Sequence, residues 1–361
     1  MRSFFASIGL PEIIAGIMVL ALNAYVLTGG ADFGGGVWNL LARGPRRDAQ
    51  RNLIAKAIAP IWEANHVWLI LVVVILFTAF PPAFATLGTV LHIPLSLMLI
   101  GIVLRGSSFV FHSYGARDDA SQRRWERVFA SASIITPVLL GMVVGAVASG
   151  AVGAAAALLP ASEPAPTNAV RPVFFTIFVA PWLSPFPLAM GALALAMFAF
   201  LAAVYLAVAT HDEALRDDFR RRALSAALAM FVAAFGGLAV AGLHVPYVSR
   251  RLTQDVAVPL QVAVALAALA AVWALWTRRW SAARIAAAIQ VSLILWGWVL
   301  VQYPFIIPPT QTLRGVAAPR STLVLLLYAL VVGGAILFPA LAYLYRTFAA
   351  AQTLSESDAP L

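Results

Sequence analysis

Residues 186–209 read F-P-L-A-M-G-A-L-A-L-A-M-F-A-F-L-A-A-V-Y-L-A-V-A, an apolar run without a single charged side chain. About 20 consecutive apolar residues are enough to cross the hydrocarbon core of a bilayer as a helix. The run is rich in alanine and leucine, and it lacks the alternation of apolar and polar residues that is typical of a membrane β-strand. This stretch therefore predicts a transmembrane helix.

Apolar runs of spanning length occur at nine places in the chain. The predicted spans are roughly 13–41, 61–80, 85–104, 128–150, 186–209, 223–243, 256–276, 285–307 and 323–345. Of the 361 residues, 62% are hydrophobic and only 11% are charged, whereas a soluble domain carries roughly 25% charged residues. The sequence predicts an all-α, polytopic bundle of about nine transmembrane helices over residues 1–348. A polar tail, residues 349–361, is predicted to be disordered.

The positive charges predict the orientation of the bundle. When the gaps between spans are assigned alternately to the two sides, with the N-terminus outside, 18 Lys and Arg residues fall on the cytoplasmic side and six on the outer side. Arg105 is counted here among the cytoplasmic cations. An excess of Lys and Arg marks cytoplasmic loops, so we expect a periplasmic N-terminus and a cytoplasmic C-terminus. The gap 151–185 is then an outer loop, with an interfacial piece around residues 174–182.

Composition also excludes several classes of function. The chain has no cysteine, which rules out disulfides, iron–sulfur clusters and thiolate ligation of haem. Its net charge of +9 comes from arginines in short gaps between apolar runs, a pattern that indicates membrane orientation signals rather than nucleic-acid binding.

Two acidic residues fall well inside predicted spans. Counted at 1.5 Å per helical residue, Asp32 lies about 16 Å from Arg43, and Glu63 lies about 18 Å from Arg51. Both carboxyls would then be near mid-membrane, where burial favours the protonated form and allows proton exchange near neutral pH. The pair predicts a proton path from the cytoplasm. The alternative for each is a structural carboxyl that is hydrogen-bonded to a neighbouring helix.

Histidines offer a second kind of chemistry. His66 lies three residues after Glu63, on the same helical face, and is a candidate proton relay. His66 and His92, the two histidines inside predicted spans, can also serve as axial haem ligands; the alternative is a hydrogen-bonded interior histidine. The E-x-x-H spacing of Glu63 and His66 occurs in di-metal bundles, which need a second such pair. The chain lacks one, so no metal site is predicted.

Residues 27–38, L-T-G-G-A-D-F-G-G-G-V-W, are rich in glycine around Asp32. No strand precedes them and they lie within a span, so they do not match a dinucleotide-binding loop. The glycines allow either close helix contact or a local break in the helix.

Several motifs resemble those of cytochrome bd oxidase subunit II. Residues 58–70, I-A-P-I-W-E-A-N-H-V-W-L-I, resemble the family's P-x-W-[DE]-x-N-x-x-W-L signature. Residues 76–81 (L-F-T-A-F-P), 105–111 (R-G-S-S-F-V-F), 30–34 (G-A-D-F-G) and 303–305 (Y-P-F) resemble four shorter elements of the family, in the same order. The block from Trp62 to Trp68 is specific, whereas the others would be weak alone.

The resemblance implies a role and a set of site residues. It implies the non-haem subunit of a quinol oxidase that reduces oxygen to water in the bacterial cytoplasmic membrane, and that helps to convey cytoplasmic protons. The implied partner is subunit I, which carries haems b and d, so no cofactor is expected on this chain. Glu63 falls on the acidic position of W-[DE]-x-N, Asp32 falls on the second Asp of D-G-F-D, and the structural motif positions are Trp62, Asn65, Trp68 and Arg105. A small single-helix subunit, bound quinone and contacts with membrane lipids and quinol are left open.

Three positions depart from the family pattern. Gly29 replaces the first Asp of D-G-F-D, Val110 stands where an acid is common, and His112 stands where Arg is common. Part of the acidic set is therefore missing, as expected of a divergent member. The sequence leaves two alternative functions open. One is a secondary transporter, suggested only by the spans and the embedded acids. The other is a membrane b-type cytochrome that binds haem through His66 and His92.

Overall fold

The computed structural model describes residues 9–58, 62–114, 119–159, 170–253 and 257–357. Within these ranges the chain forms fourteen helices and one short β-hairpin. The helices are α1 (Leu10–Leu40), α2 (Arg47–Ile58), α3 (Trp62–Ala79), α4 (Pro81–Val90), α5 (His92–Tyr114), α6 (Asp119–Ala148), α7 (Ala151–Ala156), α8 (Val170–Phe178), α9 (Pro185–Ala209), α10 (Glu213–His244), α11 (Pro246–Leu252), α12 (Val258–Trp276), α13 (Trp280–Gln302) and α14 (Arg320–Ser357). Strands β1 (Phe305–Ile307) and β2 (Gln311–Thr312) pair antiparallel between α13 and α14.

Seven helices in the described ranges are long and apolar enough to cross a bilayer. They are α1, α9, α10, α12, α13, residues 124–148 of α6 and residues 320–344 of α14. Their outer faces expose large apolar side chains, among them Leu243 at 79% and Ile336 at 69% exposure. Continuous apolar surface of this kind is suited to lipid rather than water. The all-α membrane fold is confirmed, while the count of nine spans stays a prediction.

Helix α9 is the most deeply buried span of the bundle. Two thirds of its most apolar window (67%) is buried, and it packs against α1, α6, α10 and α13. Its alanines allow neighbouring backbones to come close, while Phe198, Phe200 and Leu201 fill the space between helices and are almost completely inaccessible. The apolar run that predicts a span is thus also the core of the fold.

The glycine-rich stretch of α1 is a site of close helix contact. Helix α1 is unbroken from Leu10 to Leu40, so the alternative of a local break at Asp32 is wrong. A Cβ atom on Gly34 would lie 2.0 Å from the carbonyl oxygen of Phe198 in α9, and one on Gly30 would lie 2.9 Å from Leu201. Only glycine permits this approach of α1 to α9.

The predicted third span, residues 85–104, has the wrong boundaries. Helix α3 ends at Ala79, and α4 leaves it at an angle of 117°. Pro81 and Pro82 begin α4, because proline lacks the N–H needed to continue the α3 hydrogen-bond ladder but fits the first turn of a new helix. The chain turns again at Leu91, and α5 then starts at His92. Apolar composition continues across both turns, which is why hydropathy does not mark them.

Two further elements differ from the expectation from sequence. Helix α2 occupies the polar gap between the first two predicted spans, and it packs against α1 and α9. Helix α14 continues past Phe348 to Ser357, over residues for which a disordered tail is predicted. The interfacial piece expected around residues 174–182 overlaps α8, which exposes Phe174 and Phe175.

One end of the bundle, called here the arginine-rich end, joins three of the predicted gaps. Arg46, just before α2, binds Asp218 of α10 at 2.6 Å. Arg278, after α12, binds Asp217 at 3.1 Å. Gln50 of α2 is buried and bonds both Asp218 and Arg222, at 2.9 and 2.6 Å. Polar contacts therefore tie the ends of α1, α2, α10 and α12 together.

The opposite end, called here the hairpin end, is covered by the segment between α13 and α14. The amide of Ala318 donates to the carbonyl oxygen of Ala79 at 2.8 Å, and the Gln311 side chain donates to Thr86 at 2.8 Å. Arg314 binds Glu12, at the start of α1, at 2.5 Å. The hairpin segment thus closes over the ends of α1, α3 and α4.

Candidate functional site

An ion pair between Asp32 of α1 and Arg105 of α5 lies inside the bundle. The side chains are 0% and 3% exposed. Arg105 Nη1 donates to Asp32 Oδ2 at 2.7 Å, and Nη2 donates to Asp32 Oδ1 and, at 3.1 Å, to the Asp32 backbone carbonyl. This two-pronged geometry is the strong form of an arginine–carboxylate interaction. It compensates two charges that would be costly to bury separately.

Two more helices supply polar neighbours to the pair. Asn65 of α3 is 1% exposed, and its Nδ2 donates to Asp32 Oδ2 at 3.2 Å. Ser133 of α6 is completely buried and accepts from Arg105 Nε at 3.1 Å. The cluster of Asp32, Asn65, Arg105 and Ser133, called here the ion-pair cluster, therefore connects α1, α3, α5 and α6.

Aromatic rings enclose the guanidinium of Arg105. Its Cζ atom lies 4.6 Å from the ring centroid of Phe33 and 5.0 Å from that of Phe129. Both distances are in the range of cation–π attraction, which strengthens when the cation is desolvated. The rings also shield the charge from lipid, so the pair lies in a closed, low-dielectric environment.

Glycines at two helix contacts allow the hydroxyl groups of α6 to reach the cluster. A Cβ atom on Gly36 of α1 would lie 2.2 Å from Ser133 Oγ, and one on Gly101 of α5 would lie 2.3 Å from Thr136 Oγ1. Gly101 is one helical turn before Arg105, and Thr136 is one turn after Ser133. The small residues thus bring α6 hydroxyls beside both helices of the pair.

Two buried polar atoms near the pair have no hydrogen-bond partner within the described protein. They are Asn65 Oδ1 and Thr136 Oγ1, on residues that are 1% and 2% exposed. Buried polar groups of this kind are the positions at which internal water molecules bind. The cluster therefore offers hydrogen-bonding groups beyond the ion pair itself.

The sequence-predicted residues divide into three groups. Asp32, Asn65 and Arg105 come together in the ion-pair cluster. His66 directly follows Asn65 in α3 and is half-buried. Trp68 is half-buried one turn further, with its ring 6.3 Å from that of Phe338 in α14.

Glu63 and Trp62 form the third group. They lie in the first turn of α3, but their side chains fall outside the part of the chain that the structure describes. Residues 59–61 also lie outside the described ranges, so the depth count from Arg51 to Glu63 stays a prediction. The bond from Asn65 to Asp32 nevertheless brings the start of α3 to the level of Asp32.

The geometry of Asp32 favours the structural alternative for this carboxyl. Both of its oxygens accept hydrogen bonds from Arg105. Asp32 therefore holds the cluster together, as expected of a carboxyl that is hydrogen-bonded to a neighbouring helix.

The pair of histidines does not fit one haem. His92 is exposed at the first position of α5, where its Nδ1 lies 2.9 Å from the carbonyl oxygen of Thr89 and its ring contacts Phe178. It is thirteen residues, about 20 Å of helix, from Arg105, whereas His66 lies beside the ion-pair cluster. Two ligands of one iron cannot be so far apart in depth, so the interpretation of His92 as an embedded ligand is wrong.

Sequence reasoning missed the location of Arg105 and the contribution of α6. The orientation count from the sequence places Arg105 in a cytoplasmic loop, whereas the structure places it, buried, inside α5. One signal was available, since a carboxylate within a membrane span requires a nearby cation and Arg105 directly follows an apolar run. Ser133 and Thr136 gave no signal, because a hydroxyl residue within an apolar run is compatible with many environments.

Comparison with known proteins gives the chain a family context. Residues 10–348 match the family model described as cytochrome bd terminal oxidase subunit II. The chain is 31% identical over 127 residues to cytochrome bd ubiquinol oxidase subunit 2 of Bacillus subtilis (strain 168), a match that covers 35% of this chain and 36% of the relative. It is 25% identical over 235 residues to cytochrome bd-I ubiquinol oxidase subunit 2 of Escherichia coli (strain K12), which covers 65% of this chain and 56% of the relative. These matches thus span between about a third and just over half of each relative's length.

A solved structure shares the fold. A chain of the bd oxidase from Geobacillus thermodenitrificans superimposes with a TM-score of 0.73 and 21% sequence identity. The superposition covers 94% of this chain and 98% of the other. The arrangement of helices is therefore similar over nearly the whole length.

Proposed function

The chain belongs to the family of cytochrome bd terminal oxidase subunit II, and from this premise we propose that it is the non-haem subunit of a quinol:oxygen oxidoreductase. The complex oxidises quinol and reduces oxygen to water. The observation that carries the proposal is the family match over residues 10–348, which includes the ion-pair cluster and every proposed span. The chain is a multi-pass protein of the bacterial cytoplasmic membrane.

The redox chemistry is assigned to a partner. Haems b and d belong to subunit I in this proposal, and the present chain supports that subunit without a haem of its own. The depth difference between His66 and His92 supports this division. The proposal also includes contacts of this chain with quinol and lipid, and a small single-helix subunit in the complex.

The proposed topology has nine spans. Helices α3 and α5 join the seven long apolar helices, and α2, α4, α7, α8 and α11 lie at the two ends of the bundle. The arginine-rich end is assigned to the cytoplasm, because positively charged segments are retained there, and the hairpin end is assigned to the periplasm. The N-terminus is then periplasmic and the C-terminus cytoplasmic.

Proton delivery is the proposed chemical contribution of this subunit. Reduction of oxygen to water consumes protons, and hydrocarbon does not conduct them, so a chain of exchangeable groups must lead inward from water. Glu63 and Asp32 are proposed as the acids of this path, with His66 as a relay. The ion-pair cluster holds α1, α3, α5 and α6 around this route, and the free hydrogen-bonding atoms of Asn65 and Thr136 are suited to water.

Purification of the native complex tests the proposal. The tagged chain, expressed in its own membrane, is expected to bring with it a second subunit that shows b- and d-type haem absorption. The complex should consume oxygen when quinol is added. A chain that purifies alone and transports a solute would contradict the proposal in favour of a secondary transporter.

A further inference from the structure

Three buried polar atoms on α11 and α13, near the hairpin end, lack a hydrogen-bond partner among the described residues. They are Tyr247 Oη in α11 and, in α13, Trp298 Nε1 and Gln302 Oε1. The site lies outside the ion-pair cluster, and its residues come from α11 and α13 rather than from α1, α3, α5 and α6. No step of the proposed proton route uses it.

Two of the three side chains pack on one apolar cluster, and the third lies on the same face of α13. Trp298 and Gln302 are four residues apart in α13, which places them on the same helical face. Tyr247 and Trp298 both pack against the cluster that contains Val248 of α11 and Val301 of α13. The two helices therefore present these polar groups towards a shared interface.

Fixed contacts orient the groups. Arg251 Nη1 donates to the carbonyl oxygen of Tyr303 at 2.6 Å, and its Cζ atom lies 5.2 Å from the centroid of the Tyr247 ring. Gln302 is 8% exposed, and its Nε2 donates to the carbonyl oxygen of Ile306 at 2.8 Å. That bond uses the amide nitrogen and leaves the oxygen free to accept.

The chemistry of the three atoms matches one small ligand. Trp298 Nε1 only donates, Gln302 Oε1 only accepts, and the Tyr247 hydroxyl does either. Each atom is inaccessible to solvent, which excludes a bulky headgroup, and an internal water molecule commonly makes about three hydrogen bonds. We propose that a buried water molecule binds here and joins α11 to α13 through Tyr247, Trp298 and Gln302.

Mutant cycles on the purified complex test this site. Tyr247→Phe, Trp298→Phe and Gln302→Leu are each expected to lower the midpoint of thermal unfolding by about 2 °C. Each removes one bond to the shared water, so every pairwise double variant should lose less than the sum of its two single variants. Gln50→Leu is the control, because Gln50 bonds Asp218 and Arg222 at the opposite, arginine-rich end and shares no partner with Trp298. Its effect should add to that of Trp298→Phe.

The test is decided by whether the stability effect of Tyr247→Phe in α11 is coupled to the effects of Trp298→Phe and Gln302→Leu in α13. A direct bond between Trp298 and Gln302 would couple those two residues but leave Tyr247 additive with both, and would overturn the proposal. Single variants that raise the midpoint would also overturn it, since removal of unsatisfied buried polar atoms is stabilising. Coupling of Tyr247 to both residues of α13, together with a density peak between the three atoms in an experimental map, would support it.

Discussion

The guanidinium of Arg105 binds both carboxylate oxygens of Asp32, and neither side chain is more than 3% exposed. Each charge is stable inside the bundle only because the other is present. The pair also positions α1 and α5 at a fixed depth relative to one another, because its hydrogen bonds involve the backbone carbonyl of Asp32 as well as its side chain.

Removal of one member of this pair should be strongly destabilising. Asp32→Asn or Arg105→Gln leaves a buried charge or a buried polar group without its partner, at a cost of about 3–5 kcal/mol. The double variant should cost less than the sum of the two. Arg314→Gln is the control, because Arg314 binds Glu12 but is 58% exposed, and surface pairs contribute at most about 1 kcal/mol. The amount of assembled complex and its thermal unfolding measure the difference; equal effects of Arg105→Gln and Arg314→Gln would contradict it.

The contact between α1 and α9 predicts opposite effects for two glycines of the same helix. Gly34→Ala would place a methyl group 2.0 Å from the Phe198 carbonyl oxygen, and the overpacking should cost about 3 kcal/mol. Gly16→Ala has nothing within 4 Å of the new methyl group and should be neutral or stabilise the helix by up to about 1 kcal/mol. Thermal unfolding of the two variants provides the measurement. A stable Gly34→Ala protein would show that α1 and α9 are further apart.

The buried glutamine of the arginine-rich end should matter more than its neighbours. Gln50→Leu removes the bonds to Asp218 and Arg222 and leaves these charged groups less well satisfied, at about 1–3 kcal/mol. Asn52→Leu changes an exposed residue of the same helix and should shift stability by less than about 0.5 kcal/mol. Denaturation of the purified complex compares them, and similar midpoints for both variants would argue against the bridging role of Gln50.

Substitutions of Glu63 test the proton role. Glu63→Gln keeps the size of the side chain but cannot exchange protons, whereas Glu63→Asp keeps the acid. With normal assembly and haem content, the Gln variant should lose most quinol-driven oxygen consumption, and the Asp variant should retain a substantial part. Glu213→Gln, at a side chain that is 65% exposed, should behave like the wild type. A fully assembled Gln variant with the wild-type rate would exclude Glu63 from the route.

The orientation can be read with reporter fusions. A reporter fused after Phe348 should be cytoplasmic, and one inserted near Glu163 should be periplasmic, because the arginine-rich end is expected inside. Activity of paired reporters that work on only one side of the membrane gives the measurement. A cytoplasmic signal from the insertion near Glu163 would require a different number of spans.

The long apolar helices were predictable because one quantity, hydropathy over a spanning length, determines where they lie. Length and hydropathy locate α9 and six other spans, because lipid exposure constrains composition along the whole helix. They do not locate the turn at Pro81, which lies between two equally apolar segments. They also miss α2 as a helix, since its polar residues resemble those of a loop.

The sequence identified individual residues of the ion-pair cluster but not which of them would be in contact. Asp32 and Asn65 stand out in the sequence because polar residues in apolar runs are rare, and the motif resemblance adds Arg105. The partner of Asp32 depends on how α1 and α5 pack, and that packing depends on Gly36 and Gly101 facing the hydroxyls of α6. Such pairwise contacts leave no periodic trace in a single sequence.

The hairpin segment has a consequence for biogenesis. The ribosome completes α3 and α4 long before it makes the chain after Gln302, yet the partners of Ala79 and Thr86 are Ala318 and Gln311. The ends of α3 and α4 therefore gain these contacts only after the segment that follows α13 has been made. Until then the early helices have to hold their places in the membrane by packing among themselves.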